Sequence, residues 1–124
     1  MKEILFLLLS AISLNANAEV ISLITVSNPP ECKADHYCDI TSHHEIHVIN
    51  AGTTPETLGY SYHLCINGIC DNAQNIVTVY PGQHWDNSRN GKIHVKFREG
   101  KYDYSVITEC GQEKKINIYT IKVK

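Results

Sequence analysis

The segment Cys65-Ile66-Asn67-Gly68-Ile69-Cys70 leaves this chain the least freedom. Asn-Gly between apolar residues is the preferred centre of a two-residue type I′ hairpin, because both central positions need positive φ and these residues adopt it at little cost. A turn of that kind sets the register of the strands on either side. Ile66 and Ile69 close it as a hydrogen-bonded pair, and Cys65 and Cys70 then face each other as the next, non-hydrogen-bonded pair. Cα atoms of such a pair lie about 4.5 Å apart, within disulfide reach. A bridge between Cys65 and Cys70 is expected, the alternative being a dithiol that cycles or holds metal.

The same two-residue alternation runs through the rest of the chain, with almost no helical periodicity. Strands are expected over residues 19–27, 43–50, 58–67, 69–71, 75–80, 92–98, 102–110 and 113–123. The breaks carry turn chemistry: Asn28-Pro29-Pro30, residues 51–55, Asn67-Gly68, Pro81-Gly82, Asn90-Gly91, Glu99-Gly100 and Gly111. No helix-length segment separates consecutive strands, which excludes parallel βαβ architecture. The chain is expected to be all-β, an antiparallel two-sheet sandwich of immunoglobulin-like type or else a small β-barrel. Side chains alternate across a strand, so the core is expected to hold Ile46, Val48, Tyr62, Leu64, Ile93, Val95, Phe97, Tyr104 and Val106, with His94 outward and Cys110 inward. Gly100-Lys101-Tyr102-Asp103-Tyr104 resembles the entry to the penultimate strand of many immunoglobulin-like domains, where a tyrosine closes a corner.

Residues 1–18 read as a secretory signal peptide: Lys2, an apolar run from Ile4 to Leu14, and an Ala16-Asn17-Ala18 ending that suits signal peptidase. The run is too short for a membrane anchor, for which about 20 apolar residues are needed, and no Cys stands at the cut to carry a lipid. Residues 19–124 are then one exported domain, periplasmic or secreted from a bacterium. All five cysteines lie in that part, where oxidising conditions let disulfides persist. Besides Cys65 with Cys70, Cys38 pairs either with nearby Cys32, pinning the Pro-Pro segment, or with Cys110 between sheets. The local pairing leaves Cys110 as a buried free thiol, which behaves as a small inert hydrophobe.

Eleven Lys and Arg stand against 13 Asp and Glu, a net charge of −2, so there is no basic surplus for nucleic acid. No G-x-S-x-G, H-E-x-x-H or phosphate-cradling glycine loop appears, and no enzyme is expected. Seven histidines are many for this length, and His43, Glu45 and His47 share one strand face. His43 and His47 are roughly 13 Å apart along a strand, too far to hold one ion together, although Glu45 is near enough to either. A zinc or copper site would recruit His63, His94 or His36 from elsewhere. The simpler expectation is a solvated polar face without cofactor, with His44 at its rim. Residues 80–90 read as a long polar loop carrying the only Trp, and Trp85, His84 and Arg89 are its candidate anchors for a protein or surface ligand. The expected function is therefore a non-enzymatic binding or accessory module, with a periplasmic metal-binding protein as the alternative.

Overall fold

The computed structural model describes residues 18–124. The expected leader lies outside the described residues up to Ala18, where the first strand begins. Seven strands follow: β1 (Ala18–Val26), β2 (Tyr37–Asn50), β3 (Glu56–Ile66), β4 (Ile69–Val79), β5 (His84–Lys96), β6 (Gly100–Cys110) and β7 (Glu113–Val123). They form a three-stranded sheet ordered β1-β2-β5 and a four-stranded sheet ordered β4-β3-β6-β7. All pairings within the two sheets are antiparallel, and the sheets pack as an immunoglobulin-like sandwich. Among the described residues no helix is long and apolar enough to cross a membrane.

The hairpin forms in the expected register. Asn67 has φ 52° and Gly68 φ 80°, Ile66 faces Ile69, and Cys65 is bridged to Cys70 with Cα atoms 4.1 Å apart. Cys32 is bridged to Cys38, which settles the choice against an inter-sheet bridge and leaves Cys110 buried and free.

The expected core residues lie between the sheets, Phe97 only partly covered, in two groups. One gathers Ile40, Leu64, Ile66, Ile93, Val95, Tyr104, Val106 and Ile121. The other gathers Ile46, Val48, Tyr62, Val79 and Cys110.

Three expected boundaries are corrected. β2 begins at Tyr37 rather than at 43, because Cys38 and Ile40 continue its inward phase and β5 pairs with it from Lys96 onward. Residues 69–79 form one strand rather than two: β4 is an edge strand whose polar residues 72, 74 and 75 face solvent without interrupting its pairing to β3. The third correction is the largest. Residues 84–90 are not loop but the first half of β5, and Asn90-Gly91 is mid-strand opposite His43 and Ser42. The connection shrinks to a tight turn in which Gln83 N–H donates to Tyr80 C=O at 3.0 Å and Gly82 adopts φ 80°. Buried Asn50 holds that end together, its amide donating to the carbonyls of Thr54 and Val79.

Candidate functional site

β2 is the middle strand of the three-stranded sheet, so its outward residues present a continuous face. Tyr37, Asp39, Thr41, His43, Glu45 and His47 stand there, opposite Lys96, His94, Lys92, Asn90, Ser88 and Asp86 of β5. The histidines are held in one hydrogen-bonded chain. Asn90 Oδ1 accepts from His43 Nδ1 at 2.7 Å, and His43 Nε2 donates to Glu45 Oε2 at 2.7 Å. Glu45 Oε1 accepts from His47 Nε2 at 3.0 Å, and His47 Nδ1 donates to Asp86 Oδ1 at 2.7 Å. With both nitrogens facing oxygen acceptors, each ring is satisfied as the imidazolium. The His43 pKa is accordingly raised by Asn90 and Glu45, that of His47 by Asp86 and Glu45, and Glu45 is held below the usual carboxylate range by the two rings.

Towards the other end of the face, His94 Nδ1 donates to Asp39 Oδ1 at 2.6 Å while its ring stacks on Tyr37 with centroids 4.5 Å apart. Lys96 also lies over that tyrosine, its Nζ 5.0 Å from the ring centroid. Asp39 is held below its ordinary pKa first by the His94 hydrogen bond and then by Lys92.

The residues expected for a metal therefore converge differently from a ligand set. His43 and His47 approach the same carboxylate from two sides, and their remaining nitrogens are taken by Asn90 and Asp86. His63 lies on β3 in the other sheet, bonded to Asn72 and Ser61; His36 bonds Ala34 C=O; His94 is committed to Asp39. Among the described residues no three His, Cys, Asp or Glu side chains are grouped to hold an ion.

His44 was expected at a rim and is fully buried. It follows Ile40 and Ser42 and precedes Ile46 and Val48 on the inward phase of β2, and that phase was the signal available in the sequence. Its Nε2 meets Ser42 Oγ at 2.8 Å and its Nδ1 meets Thr108 Oγ1 at 2.9 Å, so both ring nitrogens are satisfied without charge. Burial, with help from His43 and Arg89, pushes its pKa down to about 4. A neutral imidazole beside a hydroxyl has the makings of a base and nucleophile, but Ser42 is 4% and His44 1% exposed. Burial keeps any substrate carbonyl from the pair, and the arrangement is a polar tie between sheets.

The expected anchors are not brought together. Trp85 and Arg89 share the inward phase of β5, while His84 is exposed on the opposite phase. Trp85 packs on the core edge with its ring 4.9 Å from that of Tyr60, which in turn meets Tyr62 edge-on at 5.8 Å. Arg89 reaches across to β4 and pairs with Asp71 at 3.0 Å, where Asp71 also accepts the Lys92 N–H at 2.9 Å. These bonds, the backbone one foremost, hold Asp71 below the usual carboxylate range and tie the two sheets along their β4–β5 side. Since Trp85 is half-buried on a strand, Trp85→Ala is expected to lower stability by about 1.5 kcal/mol, roughly half the cost of a fully buried aromatic. Urea unfolding of the two proteins checks this. An unchanged midpoint would show the ring to be free of the core.

No family model and no curated protein matches this chain. Among solved structures, it is similar over 86% of its length to a part of a beta-glucosidase from Listeria innocua in complex with gluconolactone. That likeness has 14% identity and a TM-score of 0.48, and covers 16% of the larger chain. A second, over 89% of this chain at 12% identity and a TM-score of 0.47, is to a Pseudomonas fluorescens alkylpurine DNA glycosylase bound to DNA containing an abasic site analog. The match covers 32% of that protein. The chain thus spans less than a third of the length of either neighbour.

Proposed function

We propose that this chain is an exported, non-enzymatic binding module whose contact surface is the outer face of the three-stranded sheet. The observation that carries the reading is the hydrogen-bonded chain Asn90–His43–Glu45–His47–Asp86, which fixes side chains of both charges on one sheet face. Groups already ordered lose little freedom when a partner docks, so more of the contact energy is retained as affinity. The stacked Tyr37 and His94 add aromatic area beside that chain, of the kind enriched at protein interfaces. Export is supported by the leader sequence and by two disulfides suited to an oxidising compartment. A protein or cell-surface ligand fits this mixed-charge face better than nucleic acid, given the net charge of −2. The test is retention of the fluorescently labelled protein on envelope material from the source cells. Retention should be lost in Tyr37→Ala/His43→Ala/His47→Ala and kept in Asn72→Ala, which lies on the other sheet. Retention that survives the triple substitution overturns the assignment of the face.

One observation favours a second reading, a zinc or copper carrier: both imidazoles turn Nε2 to a single carboxylate. A metal would have to displace protons that already hold these bonds. We expect calorimetric titration with Zn²⁺ or Cu²⁺ to show no stoichiometric submicromolar site, and the melting temperature not to climb with metal concentration. A site lost in His47→Ala and retained in His84→Ala would establish the carrier instead.

A further inference from the structure

The dipeptide Asn-Gly occurs twice in this chain, and the fold gives the two copies opposite surroundings. Such a pair carries a reaction of its own. The glycine's main-chain nitrogen attacks the asparagine side-chain carbonyl carbon, the side-chain nitrogen leaves as ammonia with the glycine's amide proton, and a five-membered succinimide remains. Water then opens the ring at one carbonyl or the other, giving aspartate or isoaspartate. Glycine favours the attack because it has no Cβ to obstruct it. The step also needs a peptide nitrogen outside any hydrogen bond, a side-chain amide free to turn on to it, and a backbone that can rotate.

Asn67-Gly68 meets these needs. Both residues are exposed at the tip of the β3–β4 hairpin, and open space surrounds Gly68, with nothing within 4 Å of where a Cβ would stand. Ile66 and Ile69 close the turn, so the Gly68 N–H lies beyond the last pair of the ladder. Among the described residues no hydrogen bond holds the Asn67 side chain. The tip can open and rotate without unpairing the strands, because the Cys65–Cys70 bridge pins the pair behind it.

Asn90-Gly91 meets none of them. Lys92 N–H points out of the β2–β5 ladder to Asp71 Oδ2 at 2.9 Å, and its partner Thr41 likewise turns its C=O outward to accept from Ser27 Oγ. Main-chain groups alternate along extended backbone, so the neighbouring pair Gly91 and Ser42 exchange their bonds, and the Gly91 nitrogen is held in the ladder. The Asn90 side chain is held by His43 Nδ1 at 2.7 Å, and Gly91 is buried against Ser42 and Leu64.

We propose that Asn67 is a site of spontaneous covalent modification in the folded protein, passing through a succinimide with Gly68 to aspartate and isoaspartate, while Asn90 is spared. Each event exchanges an amide for a carboxylate and adds one negative charge at the hairpin tip. The aspartate product keeps the turn, since Asp-Gly is also favoured at its centre. The isoaspartate product runs the main chain through the side-chain methylene, and the added carbon no longer fits a two-residue turn in register with the bridge.

Peptide mapping by mass spectrometry tests this on the protein with its disulfides intact, incubated in mildly alkaline buffer, beside a reduced and urea-unfolded sample. In the unfolded chain both asparagines should convert at similar rates. In the native protein Asn67 should convert roughly tenfold or more faster than Asn90, because a hairpin tip opens far more often than a strand bonded into a sheet. Chromatography should resolve two products at position 67, one of them co-eluting with the same peptide from Asn67→Asp. An Asn67 that keeps its amide in the native protein, or a ratio of the two rates that unfolding leaves unchanged, overturns the proposal.

Discussion

Between pH 6.5 and about 4 the fold is expected to lose on the order of 3 kcal/mol of stability, and the loss is expected to trace to His44. The ring is neutral in the core, with its pKa at about 4, and takes up a proton near its ordinary value of about 6.5 once the chain unfolds. A histidine whose folded pKa is depressed contributes fully above the unfolded value and loses that contribution as pH falls towards the folded one, at about 1.4 kcal/mol per unit. The charged groups around it do not rescue the proton. His43, Arg89 and His63 oppose it, and only Asp71 favours it. The window is distinctive. Asp39, Glu45, Asp71 and Glu109 are all held below ordinary carboxylate values and begin to give up their contributions only below about pH 5, so the slope between pH 6.5 and 5 belongs to His44. His43 and His47 act with the opposite sign, since their raised values give stability below about pH 6.5 that fades as pH rises through the folded pKa. Thermal unfolding across this range should slope steeply for the native sequence and far less for His44→Gln. A flat native profile would mean that the ring is charged in the folded protein.

Gly91→Ala is expected to cost between about 2 and 3 kcal/mol although it adds a single methyl group. Gly91 is buried opposite Ser42, and a Cβ there would sit 2.4 Å from Ser42 Oγ and 3.4 Å from two atoms of Leu64. The hydroxyl cannot swing away freely, because it holds His44 Nε2. The substitution therefore overpacks the core and strains a buried hydrogen bond at once. Urea unfolding gives the loss directly. Combining the change with Ser42→Gly should recover part of it by removing the obstructing atom, and the absence of any recovery would show that the clash is not with that hydroxyl.

Gly91 also shows why one part of this molecule was legible in its sequence and another was not. Asn67-Gly68 and Asn90-Gly91 are the same dipeptide. The first lies between isoleucines and cysteines whose spacing closes a hairpin locally, and the structure has that turn and that bridge. The second is glycine because a side chain from the facing strand fills its Cβ position, a requirement set by a residue 49 positions away in the chain and carrying no local signature. Reading it as a turn turned half of β5 into a loop and gave Trp85 the wrong surroundings. The polar composition of residues 84–90 added to the error. β5 is an edge strand with one flank uncovered, and such a strand tolerates polar residues that would rule out a central one.

Alternation of side chains, with the turn chemistry of Asn67-Gly68, was enough, without any structure, to determine an antiparallel all-β chain, the inward and outward phases of most strands, the hairpin register with its disulfide, and the burial of Cys110, while sandwich and barrel were left for the tertiary structure to separate. All of these depend on neighbours close in the chain or on the two-residue period of an extended backbone. Tertiary structure alone decided what the histidines do. His43 and His47 became ends of one carboxylate-centred chain because β5 supplies Asn90 and Asp86 from across the sheet. His44 became a neutral core residue because β6 supplies Thr108 from the opposite sheet. An imidazole takes its charge and its role from the atoms that meet its two nitrogens, and for each of these three rings one of those atoms arrives from a strand remote in sequence.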